Sequence, residues 1–352
     1  MKIDIENNTA YLHRILFTFI IALEHSGLVA RDHQSYYLGV DYFFIISGFM
    51  VVWDSERRKE ITVFDYMKYR IKKLFPAQFL LYICWIIYVI VMNHSIAYGI
   101  GAFIKHLPEA IPGFYFWGTY DLMGGYAYNF AVWYLSVLVL VSSCIYYLYT
   151  QKKQLFIGII TPIGMIFSYA YIVNNYTNFN AGGSYITYYV RGIGGMMCGA
   201  LLYIGISKML TKKYSKIFFK IMRVIELILL SFILWMIGEK GNTYYDILII
   251  IAMYGLCFCS FIYPEEGKSV PLCIKKASGL MYYVYMAHLL VKNIFNAIPY
   301  TYELITPVRI IFYFAAVLLA GVIEKEALKV LDKGYIKLKK RICLEEKNDE
   351  KR

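Results

Sequence analysis

The sequence runs repeatedly through stretches of roughly fifteen to twenty residues with few or no charged side chains. At a rise of about 1.5 Å per residue, such a stretch forms a helix that crosses the apolar core of a bilayer. The composition agrees, because 59% of the residues are hydrophobic and only 17% are charged. A soluble helical repeat protein would show a polar stripe along each helix, and these stretches lack one. We therefore predict an all-α, polytopic integral membrane protein.

The apolar stretches divide the chain into about ten transmembrane helices. The first span is the least certain, since Arg14, Glu24 and His25 lower its hydropathy. The predicted spans are residues 11–30, 37–53, 76–93, 129–149, 155–173, 185–206, 217–237, 245–263, 279–296 and 305–323.

The basic residues lie mostly in the loops after the second, fourth, sixth and eighth predicted spans. Basic loops stay on the cytoplasmic side, so both chain termini are predicted to be cytoplasmic. The net charge of +12 therefore reflects membrane orientation. We expect contacts with membrane lipids and no nucleic-acid partner.

Two further segments complete the predicted organisation. Residues 1–323 form the transmembrane domain, and residues 324–352 form a basic cytoplasmic tail that is partly amphipathic. Between Asn93 and Asn129 the chain is too rich in proline and glycine for a regular span, yet too apolar for an ordinary loop. We expect this segment to cover a cavity on the outer side, as an interfacial or re-entrant element.

The first two apolar segments contain the ionisable side chains of Arg14, Glu24, His25 and Asp41. Such groups are costly inside a bilayer, so they mark functional sites more often than accidents of packing. Arg14 and His25 are eleven positions apart, which is about three helical turns plus 20°, or about 16 Å along one helix face. One elongated ligand can therefore contact both. Taken singly, Arg14 is better explained as an interface residue, and His25 equally well as a hydrogen-bonded packing residue.

The carboxylates of Asp41 and Glu24 are both available to orient the ring of His25. Asp41 is also suited to capping the start of the second helix. The sequence does not rank these roles. Gly39 and Gly48 permit close approach, and we expect them to bring the first two helices together.

Basic residues precede the third span, where Arg70 and Lys73 are three positions apart and share a helical face. Such a pair suits phosphate groups, and the arginine offers a bidentate donor. The pair is also typical of basic residues beside acidic lipid headgroups, and that explanation is preferred in the absence of other evidence for a phosphorylated ligand.

Two more polar residues lie inside later apolar segments. Arg191 is suited to contacting a substrate, pairing with an acid such as Asp121, stabilising an oxyanion, or lying at the outer interface. His288 is suited to helix packing or to substrate contact. We expect no metal site, because the spacing of Cys257 and Cys259 is wrong for a pair of metal ligands.

Several of these patterns together resemble the membrane acyltransferase family 3. They are the Arg14 and His25 pair, the block at 39–49, the basic stretch at 70–76, the short motif at 133–135 and the segment at 278–288. The resemblance extends over nearly the whole chain, and the block at 39–49 is its most specific part. Lys73 departs from the family pattern, which usually has a second arginine there, so the charge is kept and the bidentate fork is lost.

The resemblance implies an enzyme of the bacterial cytoplasmic membrane that transfers an acyl group, most often acetyl from acetyl-coenzyme A. The acceptor would be a hydroxyl of a cell-surface polysaccharide, lipopolysaccharide or lipid-linked glycan. It implies that Arg14, Arg70 and Lys73 hold the coenzyme A phosphates and that His25 is the general base, supported by Asp41 or Glu24. Trp133, Arg191 and His288 are the candidate residues for binding the acceptor.

Two other functions remain open. A glycan or small-molecule exporter would use the buried polar residues to line a permeation path, but it would need no coenzyme A site. Alternatively, the chain is an acyl-carrying or sensory subunit whose catalytic partner lies elsewhere.

Overall fold

A computed structural model of the chain describes residues 8–28, 35–57, 61–111, 129–180, 185–212, 214–239, 241–262, 270–298 and 306–349. This part of the chain is helical and contains no β-strand. Its longer helices are α1 (Asn8–Ser26), α2 (Gly39–Arg57), α3 (Val63–Asn93), α4 (Ile96–His106), α5 (Trp133–Gln151), α6 (Thr161–Asn175), α7 (Tyr185–Met209), α8 (Lys216–Gly238), α9 (Thr243–Phe261), α10 (Leu272–Ala297) and α11 (Thr306–Asp349).

Within the described residues, seven helical segments are long and apolar enough to cross a membrane. The prediction of an all-α membrane protein is therefore confirmed. Each of the ten predicted spans overlaps a helix, but α1, α8 and α10 are not among those seven. In α1, the polar side chains that mark the candidate site lower the hydropathy. The number of ten membrane crossings and the sidedness of the termini stay predictions.

Helix α2 lies at the centre of the structure, packed against α1, α5, α7 and α9. In its apolar 18-residue stretch, 72% of the residues are buried inside the protein. The corresponding share for α11, at the periphery, is 17%. Helix α2 carries the 39–49 block, so that block is held on several sides by other helices.

Two glycines allow α2 and α7 to cross at backbone contact. A Cβ atom on Gly48 would lie 1.8 Å from the carbonyl oxygen of Met196, and one on Gly199 would lie 1.9 Å from that of Ile45. Gly39 instead faces α1, since a Cβ there would lie 2.8 Å from Cγ1 of Ile21. The predicted role in joining α1 and α2 is thus confirmed for Gly39 and wrong for Gly48, which faces α7.

Helix α4 folds back onto α3 after a turn in which His94 adopts a left-handed conformation, with φ of 50°. The Tyr82 hydroxyl donates to the Phe103 carbonyl oxygen, and Nε2 of Gln78 donates to that of Glu109 at 2.6 Å. The first part of the segment between Asn93 and Asn129 therefore packs on α3. Residues 112–128 lie outside the described part of the chain.

Helix α11 passes without a break through residue 323, the predicted end of the transmembrane domain. Glu324 is only 4% exposed, so the burial of α11 does not end at that position. The basic tail begins as a continuation of the same helix.

Candidate active site

A cavity of about 240 Å³ lies between α1, α2, α3, α5 and α10. Most of its wall is apolar, which suits a long, weakly polar ligand. The polar side chains in its wall are Arg14, Thr18, Tyr134, Ser278, Tyr282 and Tyr285.

Helix α1 contributes Arg14, Thr18 and Ile21 to the cavity wall. These positions form a row at spacings of four and three residues, and His25 is the next member of that row. Because α1 is unbroken over this range, Arg14 and His25 share one helix face, as predicted. The face of α1 that contributes Arg14 to the cavity wall therefore also carries His25.

Tyr134 lies in the cavity wall and contacts the central helix α2. Its hydroxyl is 3.0 Å from Oγ of Ser47 in the 39–49 block. The charges of both Arg14 and Arg70 act on the tyrosine side chain. Tyr134 had no predicted role, and its place in the 133–135 motif was the only signal for it in the sequence.

The two predicted phosphate-binding residues of α3 differ in their surroundings. Arg70 is half-buried, with its guanidinium carbon 5.8 Å from the ring centroid of Tyr66. Lys73 is exposed, and neither residue belongs to the cavity wall. Arg70 acts electrostatically on Tyr134, as Arg14 does.

His25 and His288 are brought together from opposite ends of the chain. Their rings stack with centroids 5.2 Å apart and an interplanar angle of 29°. The Tyr313 hydroxyl lies 3.1 Å from the carbonyl oxygen of Ala22 and 3.3 Å from that of His288, so it bridges the helices that carry the two histidines. His288 is fully buried, and His25 is half-buried.

Helix α10 is also fixed against the start of α5. The Tyr285 hydroxyl donates to the carbonyl oxygen of Ala131 at 2.6 Å, and Nδ2 of Asn129 donates to that of Met286 at 3.0 Å. Because Tyr285 lines the cavity one helical turn before His288, these bonds position the wall of the cavity and the histidine together.

Asp41 does not orient His25, contrary to one of the predicted roles. Both carboxylate oxygens are 3.0 Å from Nε of Arg191, and Oδ2 is 2.5 Å from Nη2. The two side chains are 0% and 1% exposed. This pairing fixes α2 to α7, and it replaces the suggested pairing of Arg191 with Asp121, which lies outside the described residues.

The ion pair belongs to a larger buried network. Nη2 of Arg191 also donates to the carbonyl oxygen of Tyr37 at 2.6 Å, and the Tyr37 hydroxyl donates to Oδ2 of Asp246 at 2.7 Å. Asp246 accepts two more hydrogen bonds, from Oγ of Ser35 and the backbone N–H of Phe179, each at 2.9 Å. The network therefore joins the start of α2 to α7 and α9.

Trp133 lies beside Arg191 of this buried network and does not line the cavity. Its ring stacks on Tyr188 at 4.4 Å and lies 5.8 Å from the guanidinium carbon of Arg191. Both Trp133 and Arg191 are buried. His288, the third residue predicted to bind an acceptor, instead contacts His25.

Glu24 precedes His25 in the sequence. Its side chain is buried and interacts electrostatically with Tyr36. Consecutive residues point about 100° apart around a helix. Glu24 therefore projects from a different face of α1 than the row that begins at Arg14.

A second polar cluster lies on another face of α1 and was not predicted from the sequence. Oε1 of Glu226 accepts from Oγ of Ser260 at 2.6 Å, and Oε2 accepts from Nη1 of Arg223 at 2.7 Å. Nδ1 of His13 is 3.2 Å from the same serine oxygen. These residues join α1, α8 and α9, away from the cavity that contains Arg14.

The comparisons with known proteins give one match. A family model described as an acyltransferase domain, of the acyltransferase 3 type, matches residues 8–323. No curated protein and no solved structure shows a significant match. The matched range includes Arg14, His25, Arg70, Arg191 and His288.

Proposed function

Because the chain belongs to the membrane acyltransferase family 3, we propose that it transfers acetyl from acetyl-coenzyme A to a hydroxyl of a cell-surface polysaccharide, lipopolysaccharide or lipid-linked glycan. The observation that carries this proposal is the row on α1 that begins with Arg14 in the cavity and continues to His25. A cation and a base on one face, about 16 Å apart along the helix, suit an extended donor.

The donor lies with its phosphates toward Arg14 and Arg70 and its thioester toward His25. This orientation is supported by the electrostatic action of both arginines on Tyr134 in the cavity wall. It is also supported by the mainly apolar cavity wall, which suits the pantetheine arm and the acyl group. Lys73, on the exposed side of α3, contributes charge at the entrance for the phosphates.

His25 acts as the general base of the transfer. The acceptor hydroxyl oxygen attacks the thioester carbonyl carbon while the imidazole takes the hydroxyl proton. The tetrahedral intermediate then collapses, the carbon–sulfur bond breaks, and the imidazolium returns the proton to the coenzyme A thiolate. The products are an ester and free coenzyme A, and no metal ion is required.

Glu24 is the remaining carboxylate that can stabilise the charge on His25, because Asp41 is engaged by Arg191. Asp41, Arg191 and Trp133 then act indirectly, since they hold α2 against α7 and so position the cavity wall. The enzyme lies in a bacterial cytoplasmic membrane with both termini inside, which is supported by the basic residues of the alternate loops.

Transfer from labelled acetyl-coenzyme A to glycan tests this proposal. Purified protein in lipid vesicles is incubated with the labelled donor and a bacterial surface glycan, and label released from the glycan by mild alkali is measured. We expect alkali-labile label, since oxygen esters are cleaved under these conditions. An exporter would move the glycan across the vesicle membrane without labelling it, and that result would contradict the proposal.

A further inference from the structure

The two ring nitrogens of His288 have different surroundings. Nδ1 lies within hydrogen-bond distance of the carbonyl oxygen of Tyr285, one helical turn earlier. A carbonyl oxygen only accepts hydrogen bonds, so Nδ1 carries a proton. Nε2 is buried and has no hydrogen-bond partner among the described residues.

This arrangement makes Nε2 a hydrogen-bond acceptor. A second ring proton would have no acceptor in the described surroundings, so the ring is neutral and its lone pair is on Nε2. The backbone contact of Nδ1 thus fixes the tautomer, as commonly happens for histidines whose other nitrogen binds a ligand. Buried acceptors in proteins are nearly always satisfied by a donor, and the donor for Nε2 is absent from the described residues.

The position of His288 indicates where that donor comes from. Its ring stacks on His25 with centroids 5.2 Å apart. On the same helix, Tyr285 lines the cavity that also contains Arg14. A molecule that reaches the imidazole of His25 therefore lies beside the unpartnered nitrogen of His288.

We propose that Nε2 of His288 accepts a hydrogen bond from a second hydroxyl of the acceptor, adjacent to the hydroxyl that is acylated. The stacked rings then bind a pair of neighbouring hydroxyls, one at each histidine. The second hydroxyl keeps its proton, and no bond forms or breaks at His288. The residue thereby selects acceptors with adjacent hydroxyls, as in sugars, over simple alcohols.

The inference rests on the proposed function, because it assumes that an acceptor hydroxyl reaches His25. It makes a separate prediction about selectivity. A site built to accept a hydrogen bond from a substrate hydroxyl discriminates strongly against an analogue that lacks it, since the buried acceptor is then left unsatisfied.

Two substitutions separate acceptor binding from a purely structural role. In His288→Asn, the side-chain amide N–H can still donate to the Tyr285 carbonyl, but no acceptor remains at the position of Nε2. In His288→Gln, the longer side chain brings an amide oxygen, a neutral acceptor, toward that position. Both variants are first checked for monodisperse elution in detergent and for binding of acetyl-coenzyme A.

Steady-state transfer is then measured with trans-1,2-cyclohexanediol and with cyclohexanol as small acceptors. We expect the wild type to prefer the diol at least tenfold in kcat/KM. His288→Asn should lose most of this preference through a raised KM for the diol, and His288→Gln should recover part of it. Equal use of the two alcohols by the wild type, no transfer to the diol, or an undiminished preference in His288→Asn would overturn the inference.

A measurement on the wild-type protein does not depend on the folding of the variants. In protein labelled with ¹⁵N-histidine, the Nε2 resonance of His288 is assigned by its absence from His288→Gln. It should have the shift of an unprotonated nitrogen and move upfield when the diol is added. An unchanged resonance at saturating diol contradicts the inference. By contrast, loss of glycan labelling in the wild type would contradict the proposed function itself.

Discussion

Asp41 and Arg191 form a buried ion pair in which the guanidinium group contacts both carboxylate oxygens, with the shortest distance, from Nη2 to Oδ2, at 2.5 Å. The partners are 150 positions apart in the chain. The pair joins the central helix α2 to α7 and continues through Tyr37 to Asp246. Its role is to set the position of the block at 39–49, whose Ser47 contacts Tyr134 in the cavity wall.

Removal of one partner of this pair should destabilise the protein strongly, because the other charge is left buried and unpaired. We expect Asp41→Leu or Arg191→Leu to lower the free energy of unfolding by about 3 kcal/mol or more. The double variant Asp41→Leu/Arg191→Leu should lose less than the sum of the two single losses. Unfolding in mixed detergent micelles measures all three, and strictly additive losses would show that the pair is not coupled.

The crossing of α2 and α7 should be sensitive to a single added methyl group. A Cβ on Gly48 would lie 1.8 Å from the Met196 carbonyl oxygen, whereas one on Gly205 of α7 would meet nothing within 4 Å. We therefore expect Gly48→Ala to destabilise the protein by about 1–3 kcal/mol. Gly205→Ala, the matched control, should be neutral or slightly stabilising. Equal melting temperatures for the two variants would contradict the observed helix contact.

The polar cluster around Glu226 should support folding and have no part in acyl transfer. Glu226→Gln keeps the volume but weakens two charge-assisted hydrogen bonds, from Arg223 and Ser260, so the melting temperature should fall. Glu326→Gln, at an exposed pair with Lys329, should leave it unchanged. Transfer activity per folded molecule should be the same in both variants. A selective loss of activity in Glu226→Gln would place this cluster in the catalytic machinery.

Binding of the donor should depend on Arg14 and Arg70, whose charges both act on Tyr134 in the cavity wall. We expect Arg14→Ala and Arg70→Ala each to weaken acetyl-coenzyme A binding about tenfold or more, because each removes a charge-assisted contact to phosphate. Lys220→Ala removes an exposed cation of α8 and serves as the control. Isothermal titration with the purified proteins gives the three affinities. Unchanged affinity in both arginine variants would exclude this placement of the donor.

The sequence predicted those features that depend on local spacing or on composition. The apolar runs indicated the membrane helices, and the spacing of Arg14 and His25 defined a shared face as soon as α1 was a helix. The pairings of Asp41 with Arg191 and of His25 with His288 depend on the packing of distant helices. With several acids and bases available to each residue, spacing along the chain does not determine which of them meet. Accordingly, the roles considered for Asp41 were orientation of His25 and capping of the second helix, and its pairing with Arg191 was not among them.

Tyr134 could not be singled out from the sequence for a different reason. The chain has 36 tyrosines, and the composition and hydropathy of the sequence around Tyr134 are ordinary. Its significance comes from the three-dimensional arrangement, in which its hydroxyl contacts Ser47 and the charges of Arg14 and Arg70 act on it. Only the helix arrangement reveals such a position.

The role of His25 as the base for acyl transfer is tested most directly by single-turnover transfer of labelled acetyl to glycan by His25→Ala. His94→Asn provides the control, because His94 is exposed and asparagine tolerates its left-handed backbone conformation. We predict that His25→Ala binds acetyl-coenzyme A normally yet transfers acetyl at least about a hundredfold more slowly, while His94→Asn transfers at the wild-type rate. Transfer by His25→Ala at the wild-type rate would contradict the account.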